Sequence, residues 1–333
     1  MKAITDASGR EVLIPEKIET VIALRSGALR LLAYMDATDR VIAVEGNEKR
    51  RTVPYLFANP RLKELDVIGT GNLAEPELLA MHQPDLILTT FTTAGEAEEL
   101  QQKTAVPVIV LDYGDFNENI DNFYKTLGFL GEILNKEKRA DSLKSFIKGC
   151  IEDLERRTQG IVHQPEVYVG GIAYRGAHGI TSTEPQYAAF RMVHANNVAA
   201  GLGEVTSSSK AWLENAFIDP EQLIEWNPDK IFLDISGRTV WEEDLQNPAL
   251  ASSLQAIQRN ELYTVLPHNW YTTNYENILC NAYYIGKVMY PEAFEDIELK
   301  KKCDEIYKNF LGKGVYAEMM EAFDAYRQIK ITQ

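Results

Sequence analysis

A chain of 333 residues with 45% hydrophobic and 25% charged side chains has the make-up of a globular protein, and its length suits two domains of about 150 residues better than a single core. The formal net charge of −15 argues against nucleic acid or an anionic membrane surface as the main partner, since both are held by basic patches. No run of 18 apolar residues offers a membrane span, and Cys150, Cys280 and Cys303, without CxxC spacing, read as buried thiols and not as a metal, redox or disulfide framework.

Taken in order, residues 4 to 15 alternate around Ser8-Gly9 as a hairpin, and residues 20 to 24 form the first buried strand. That strand ends at Arg25-Ser26-Gly27, where Ser26 is placed to cap the helix ALRLLAYM. The strand VIAVEG follows at 41 to 46, then the polar loop GNEKRRTVPYLFANP with three consecutive basic residues, then the strand DVIGT at 66 to 70.

The next stretch, EPELLAMHQPDLILTT from Glu75 to Thr90, returns 144 residues later as DPEQLIEWNPDKIFLD, Asp219 to Asp234. Pro76 and Pro220 suit a first helical turn, where a missing N–H costs nothing, and Pro84 and Pro228 end the helix before a short apolar strand. Each copy leads on to another strand, PVIVLD at 107 to 112 and LYTVLP at 262 to 267. Two such units predict an α/β chain of two lobes with parallel-type sheets flanked by helices. Between the copies, residues 120 to 133 and about 139 to 158 carry helical apolar spacing, and the second helix reads as a rigid rod joining the lobes. The expected division is 1–137 for the first lobe, 138–160 for the bridging helix and 161–333 for the second lobe.

The second lobe opens with the strand EVYVGGI and the glycine-rich loop YRGAHGITSTEPQ. Thr183 and Gln186 fit a capping box for the helix YAAFRMVHANNVAAGL. Ligands of open α/β sheets bind beyond the carboxyl ends of the strands. Those ends carry Arg25, Ser26, Arg51 with Tyr55, Asn72 and Thr92 in the first lobe, and Tyr174, Arg175, His178, Thr183, Arg238, Trp270 and Tyr271 in the second. Arginine, aromatic and hydroxyl groups dominate, and guanidinium forks and helix N-termini suit an anionic or strongly polarised ligand. Plainer roles stand beside this one: Ser26 and Thr183 as caps only, Arg50 and Arg51 as a solvated loop, Trp270 and Tyr271 as closure of the core. The five histidines, at 82, 163, 178, 194 and 268, are scattered, so no bare-metal site is expected.

An enzyme is the competing class. Gly69 to Ala74, GTGNLA, fits a loose dinucleotide fingerprint, yet Thr89 to Thr93 stand where its acidic residue belongs, and no P-loop, GxSxG elbow or HExxH is present. No catalytic residue and no cofactor are expected.

The opening TDASGREVLIPEKIETVIAL, the paired PE-x-L…PD elements, the central helix and the closing NAYYIGKVMYPEAF together resemble the extracytoplasmic substrate-binding proteins of ABC importers for ferric siderophores, haem and vitamin B12. The resemblance covers essentially the whole chain. It implies a monomeric solute receptor, two lobes bridged by one long helix with the ligand in the cleft between them, and delivery to an ABC permease dimer in the membrane. The ligand it implies is an iron complex (ferric siderophore or haem) or a corrinoid. The alternatives are a molybdate or tungstate-type oxyanion on the same fold or, from another class, a two-lobed metal-cluster or chelatase-like enzyme. It further implies export to the periplasm or a lipid anchor at the outer face of the membrane, the targeting segment having been trimmed ahead of Met1. Glu77 and Glu221, one residue past the repeated prolines, match the glutamates that meet the transporter in the related vitamin B12 receptor, or else simply favour the helix dipole.

Overall fold

The computed structural model describes residues 1–71, 73–205 and 216–330, and the chain divides into two units, Met1–Lys148 with Tyr307–Val315 and Gly149–Ile306 with Tyr316–Gln333. In the first unit five strands lie in the order Asp66–Val67, Val41–Val44, Val21–Leu24, Leu86–Thr90, Val108–Leu111, and every neighbouring pair is parallel. Val21–Leu24, Leu86–Thr90 and Val108–Leu111 are buried throughout, as strands of a parallel sheet covered by helices must be. Counted along the chain, the order is third, second, first, fourth, fifth. The winding therefore reverses between Val21–Leu24 and Leu86–Thr90.

The second unit orders its strands Asn196–Asn197, Glu166–Gly170, Lys230–Asp234, Leu262–Val265, Gln328–Ile329, with three parallel pairings and one antiparallel edge. Here the winding reverses between Glu166–Gly170 and Lys230–Asp234. Both sheets are flanked by helices, the mixed α/β architecture that the sequence pattern predicts.

The repeat builds equivalent pieces in the two units. Helices Pro76–His82 and Pro220–Trp226 both start on proline, and each stops at a left-handed residue, Gln83 (φ 46°) and Asn227 (φ 43°). Each docks on its sheet through one fully buried leucine, Leu79 or Leu223, a burial that contributes about 1.5 to 3 kcal/mol. The aspartate after the second proline then ties the following strand to its neighbour. Asp85 accepts from Glu19 N, Thr20 N and Thr20 Oγ1 at 2.8, 2.8 and 3.1 Å, and Asp229 from Glu166 N at 3.0 Å.

Helix Glu137–Thr158, 22 residues and so about 33 Å long, belongs to the first unit up to Lys148 and to the second from Gly149. Its apolar stripe Ala140, Leu143, Ile147, Cys150 and Leu154 is buried.

Two local expectations are corrected. The segment expected as one helix from Tyr187 splits into the short α-helix Ala188–Met192 and the start of the 3-10 turn Ala200–Val205, because His194 turns left-handed (φ 50°) and Asn196–Asn197 joins the sheet edge. The run DVIGT splits between the sheet and a two-stranded antiparallel ribbon, Gly69–Thr70 with Leu73–Ala74. Gly69 (φ 143°) is needed there because a Cβ would lie 2.0 Å from the Leu73 carbonyl oxygen.

Candidate functional site

Each reversal of winding leaves a crevice at the carboxyl ends of two strands, the place where open α/β sheets bind ligands. In the first unit the two strand ends are Arg25 and Phe91. Both are left-handed, φ 65° and 48°, a conformation that costs a non-glycine residue on the order of 1 kcal/mol or more and that clusters at functional positions. The Arg25 guanidinium donates to the Phe91 carbonyl and pairs with Glu96 at 3.5 Å. Glu96 in turn accepts from Thr93 N and Thr92 Oγ1, both at 2.9 Å, within a capping box that starts helix Ala94–Thr104. The Thr93 N–H, the Thr92 hydroxyl and Arg25 hold the Glu96 carboxyl down to about 2.

Ser26 is not the cap of helix Ala28–Tyr34. Gly27 holds that position, left-handed at φ 96° with the Tyr113 ring 2.3 Å from where a Cβ would stand, and makes no side-chain cap bond. Ser26 lies one residue farther out, and its carbonyl accepts from Thr90 Oγ1 at 2.7 Å.

Glu45, at the end of strand Val41–Val44, is only 2% exposed. Its Oε2 accepts from the Arg25 backbone N–H at 3.0 Å, while its Oε1 meets no partner among the described residues. Burial pushes its carboxyl up to about 7 against the opposing pull of the Arg25 N–H and of Arg51. A cavity of about 230 Å³ opens among Arg25, Glu45, Thr89, Thr92 and Glu96.

Arg51 and Tyr55 are not part of a solvated loop: each is 1% exposed. The turn Gly46–Lys49 sets Glu48 three residues before Arg51, the two pair, and Tyr55 Oη donates to Glu48 Oε2 at 2.6 Å. Arg30, also buried, donates to Tyr113 Oη at 2.7 Å and lies 5.4 Å over the Tyr55 ring. Arg50 alone of that pair of arginines is exposed.

In the second unit the loop after Glu166–Gly170 carries Tyr174, Arg175 and His178 together. Arg175 is exposed, left-handed at φ 53°, and stacked 5.4 Å over the Tyr174 ring. Among the described residues no carboxylate lies within ion-pair distance of it. His178 Nε2 sits 2.6 Å from the Tyr174 carbonyl, so that nitrogen donates, and the ring meets Phe217 edge-on at 4.9 Å. Asn269 Nδ2 donates to the Ala173 carbonyl at 3.3 Å, which brings the loop after Leu262–Val265 against this one. That second loop presents Tyr271, 38% exposed at φ 54°, beside Trp270, whose ring packs at 5.3 Å on Tyr271 and 6.4 Å from Phe323.

Asp234 and His268 tie these strand ends from beneath solvent reach. Asp234 accepts from Ser236 N at 2.9 Å and His268 N at 2.7 Å, and burial pushes its carboxyl up to about 7. Burial takes the His268 imidazole down to about 4, so it stays neutral.

Two other expected positions lie apart from this loop. Thr183 starts no helix: it is fully buried in the ribbon Ser182–Thr183 with Ala216–Phe217, since its extended pairing partner comes from far along the chain. The Arg238 guanidinium faces carboxylates, Glu242 at 2.7 Å and Asp324 at 3.7 Å, in a separate pocket with Trp241 and Arg327. Asn72 lies outside the described residues. Glu77 and Glu221 are both exposed in the first turns of the repeated helices. Glu45 and Phe91 were not singled out from the sequence. The signal present for both is their place as the residues just past VIAV and LILTT.

A periplasmic binding protein family model matches residues 21 to 267. The molybdate-binding protein MolA of Haemophilus influenzae is 22% identical over 93% of this chain and 90% of its own. Its molybdate-bound structure superposes with a TM-score of 0.73 at 20% identity, covering 94% of this chain and 99% of that one. An ABC transporter substrate-binding lipoprotein of Bacillus subtilis, YvrC, is 21% identical over 88% of this chain and 87% of its own. A structure from the Fe3+-hydroxamate transport system of Saccharomonospora viridis has a TM-score of 0.55 at 17% identity, covering 86% of this chain and 98% of that one. The chain belongs to the periplasmic binding protein family, the extracytoplasmic substrate-binding proteins of ABC importers.

Proposed function

We propose that this protein is the receptor through which an ABC importer takes up a small oxyanion of the molybdate class. The observation that carries the reading is that each point of reversed winding presents a guanidinium on left-handed backbone, Arg25 in one unit and Arg175 in the other. Guanidinium forks match the oxygens of such an anion, and the absence of a carboxylate beside Arg175 among the described residues leaves its charge available. The likeness to MolA over most of the chain supports the same class.

A bulky ferric chelate is the second reading. It is favoured by exposed aromatic rings past strand ends of each unit, Phe91 after Leu86–Thr90 at 45% and Tyr271 after Leu262–Val265 at 38% exposure, which suit the flat apolar faces of a chelate. In either case the protein delivers its ligand to a permease, with Glu77 and Glu221 as docking carboxylates, and is exported or lipid-anchored as the lipoprotein YvrC is named.

Thermal unfolding against a ligand panel tests this directly, since a ligand at 100 times its Kd raises stability by about 2.7 kcal/mol. Molybdate and tungstate are expected to raise the melting temperature, and ferric hydroxamates, catecholates, haem and corrinoids to leave it unchanged. A shift with one of those chelates alone transfers the assignment to the second reading, and no shift with any of them contradicts both.

A further inference from the structure

Each unit carries an exposed apolar residue in a two-stranded ribbon just ahead of its repeated helix. In the first, Leu73 lies in the second strand of the ribbon Gly69–Thr70 with Leu73–Ala74 and is 79% exposed. In the second, Phe217 lies in the second strand of the ribbon Ser182–Thr183 with Ala216–Phe217 and is 56% exposed. Both stand three residues before the helix-start proline and four before the exposed glutamate of the first turn. Both are accompanied by a second exposed carboxylate, Glu75 in one unit and Asp219 in the other.

A single exposed leucine or phenylalanine is ordinary on a protein surface. The same exposure two residues ahead of each copy of the repeat, 144 residues apart, is not, because neither side chain serves the core that the repeat otherwise explains. Exposed Met81 differs in this respect: it is 78% exposed, but its equivalent in the second copy is Glu225. An apolar centre with a charged rim is the build of a binding hot spot. Two copies of it suit a partner with two like subunits, and the paired carboxylates require basic groups on that partner.

We propose that Leu73 and Phe217 are the apolar anchors of two equivalent docking patches, each flanked by two carboxylates, that engage the two subunits of a permease dimer. The proposal rests on the receptor reading above and adds to its docking glutamates the residues that supply salt-independent affinity.

The test uses ligand-free protein and the importer's permease dimer reconstituted in lipid nanodiscs, so that the contact of Phe217 with His178 does not enter through ligand binding. Leu73→Ser and Phe217→Ser are each expected to weaken binding about tenfold and the pair about a hundredfold. That loss should be the same at about 0.05 and 0.5 M salt, whereas reversing Glu77 and Glu221 to Lys should cost most at low salt. The milder Leu73→Ala and Phe217→Leu, which spare the ribbons, should give smaller losses in the same direction. Wild-type affinity in the folded serine pair overturns the patch while leaving the receptor reading intact. Failure of the wild type to bind any part of the permease overturns both. Self-association of the wild type that the serine pair abolishes would assign the patches to a second copy of the chain and overturn the permease assignment.

Discussion

The two copies of the repeat begin alike and end differently. Pro76, Leu79, Gln83 and Asp85 do for the first unit what Pro220, Leu223, Asn227 and Asp229 do for the second: start a helix, bury it, stop it and tie the next strand. At the far end of that strand the equivalence breaks. Thr90 spends its hydroxyl on the Ser26 carbonyl, whereas its counterpart Asp234 is a buried carboxylate that holds Ser236 and His268. Phe91 projects on left-handed backbone where Ile235 is buried. Packing and strand pairing impose one solution on the shared halves, and the divergent halves are strand ends of the kind at which open α/β sheets bind ligands.

The largest expected effects fall on the shared part. Leu79→Ala and Leu223→Ala should each cost about 2 to 5 kcal/mol in urea unfolding, because both side chains are fully buried. A near-zero cost for one of them would break the equivalence.

The divergent part should respond with opposite signs. Glu45 has one oxygen without a partner among the described residues, and its raised carboxyl penalises the ionised form; the charges facing it are Arg25, Arg51 and Glu48. Its contribution to stability is therefore present below about pH 4.5 and is lost as pH rises through about 7. Glu45→Gln, which keeps an acceptor for the Arg25 N–H, should be more stable than wild type at pH 8 by up to about 3 kcal/mol, with the gain gone in acid. Asp234→Asn should instead destabilise by about 1 to 3 kcal/mol, since both carboxylate oxygens face N–H donors and an amide offers only one acceptor. Unfolding at acid pH and at pH 8 checks both; a gain for Asp234→Asn, or a pH-independent effect of Glu45→Gln, would contradict the account.

The smallest contrast concerns the tying aspartates. Asp85→Ala removes three hydrogen bonds and should cost about 1 to 2 kcal/mol, and Asp229→Ala, which removes one exposed bond, less than about 1 kcal/mol. Equal costs would mean that the extra bonds of Asp85 add nothing.

What was legible in the sequence is what local chemistry decides. The proline starts, the apolar strands LILTT and IFLD and the helical spacing of residues 120 to 133 all stand where the pattern puts them. What was not legible depends on partners distant in the chain. Thr183 looks like a cap until Ala216 pairs with it, and Ser26 does until the Tyr113 ring forces glycine into the next position. Arg51, the last of three basic residues, looks solvated, yet Glu48 and Tyr55 give it a buried setting. At the site, Arg25 and Arg175 were legible as strand-end arginines. The strained backbone that presents them, and the carboxylates that claim Arg238, appear only in three dimensions.

Calorimetric titration of molybdate into the wild type, Arg25→Ala, Arg175→Ala and Arg238→Ala tests the central claim most directly. The account predicts a loss of about 1.5 to 3 kcal/mol of binding for each of the first two, the range for charge-assisted hydrogen bonds, with Arg238→Ala unchanged. Undiminished affinity in both Arg25→Ala and Arg175→Ala would contradict it.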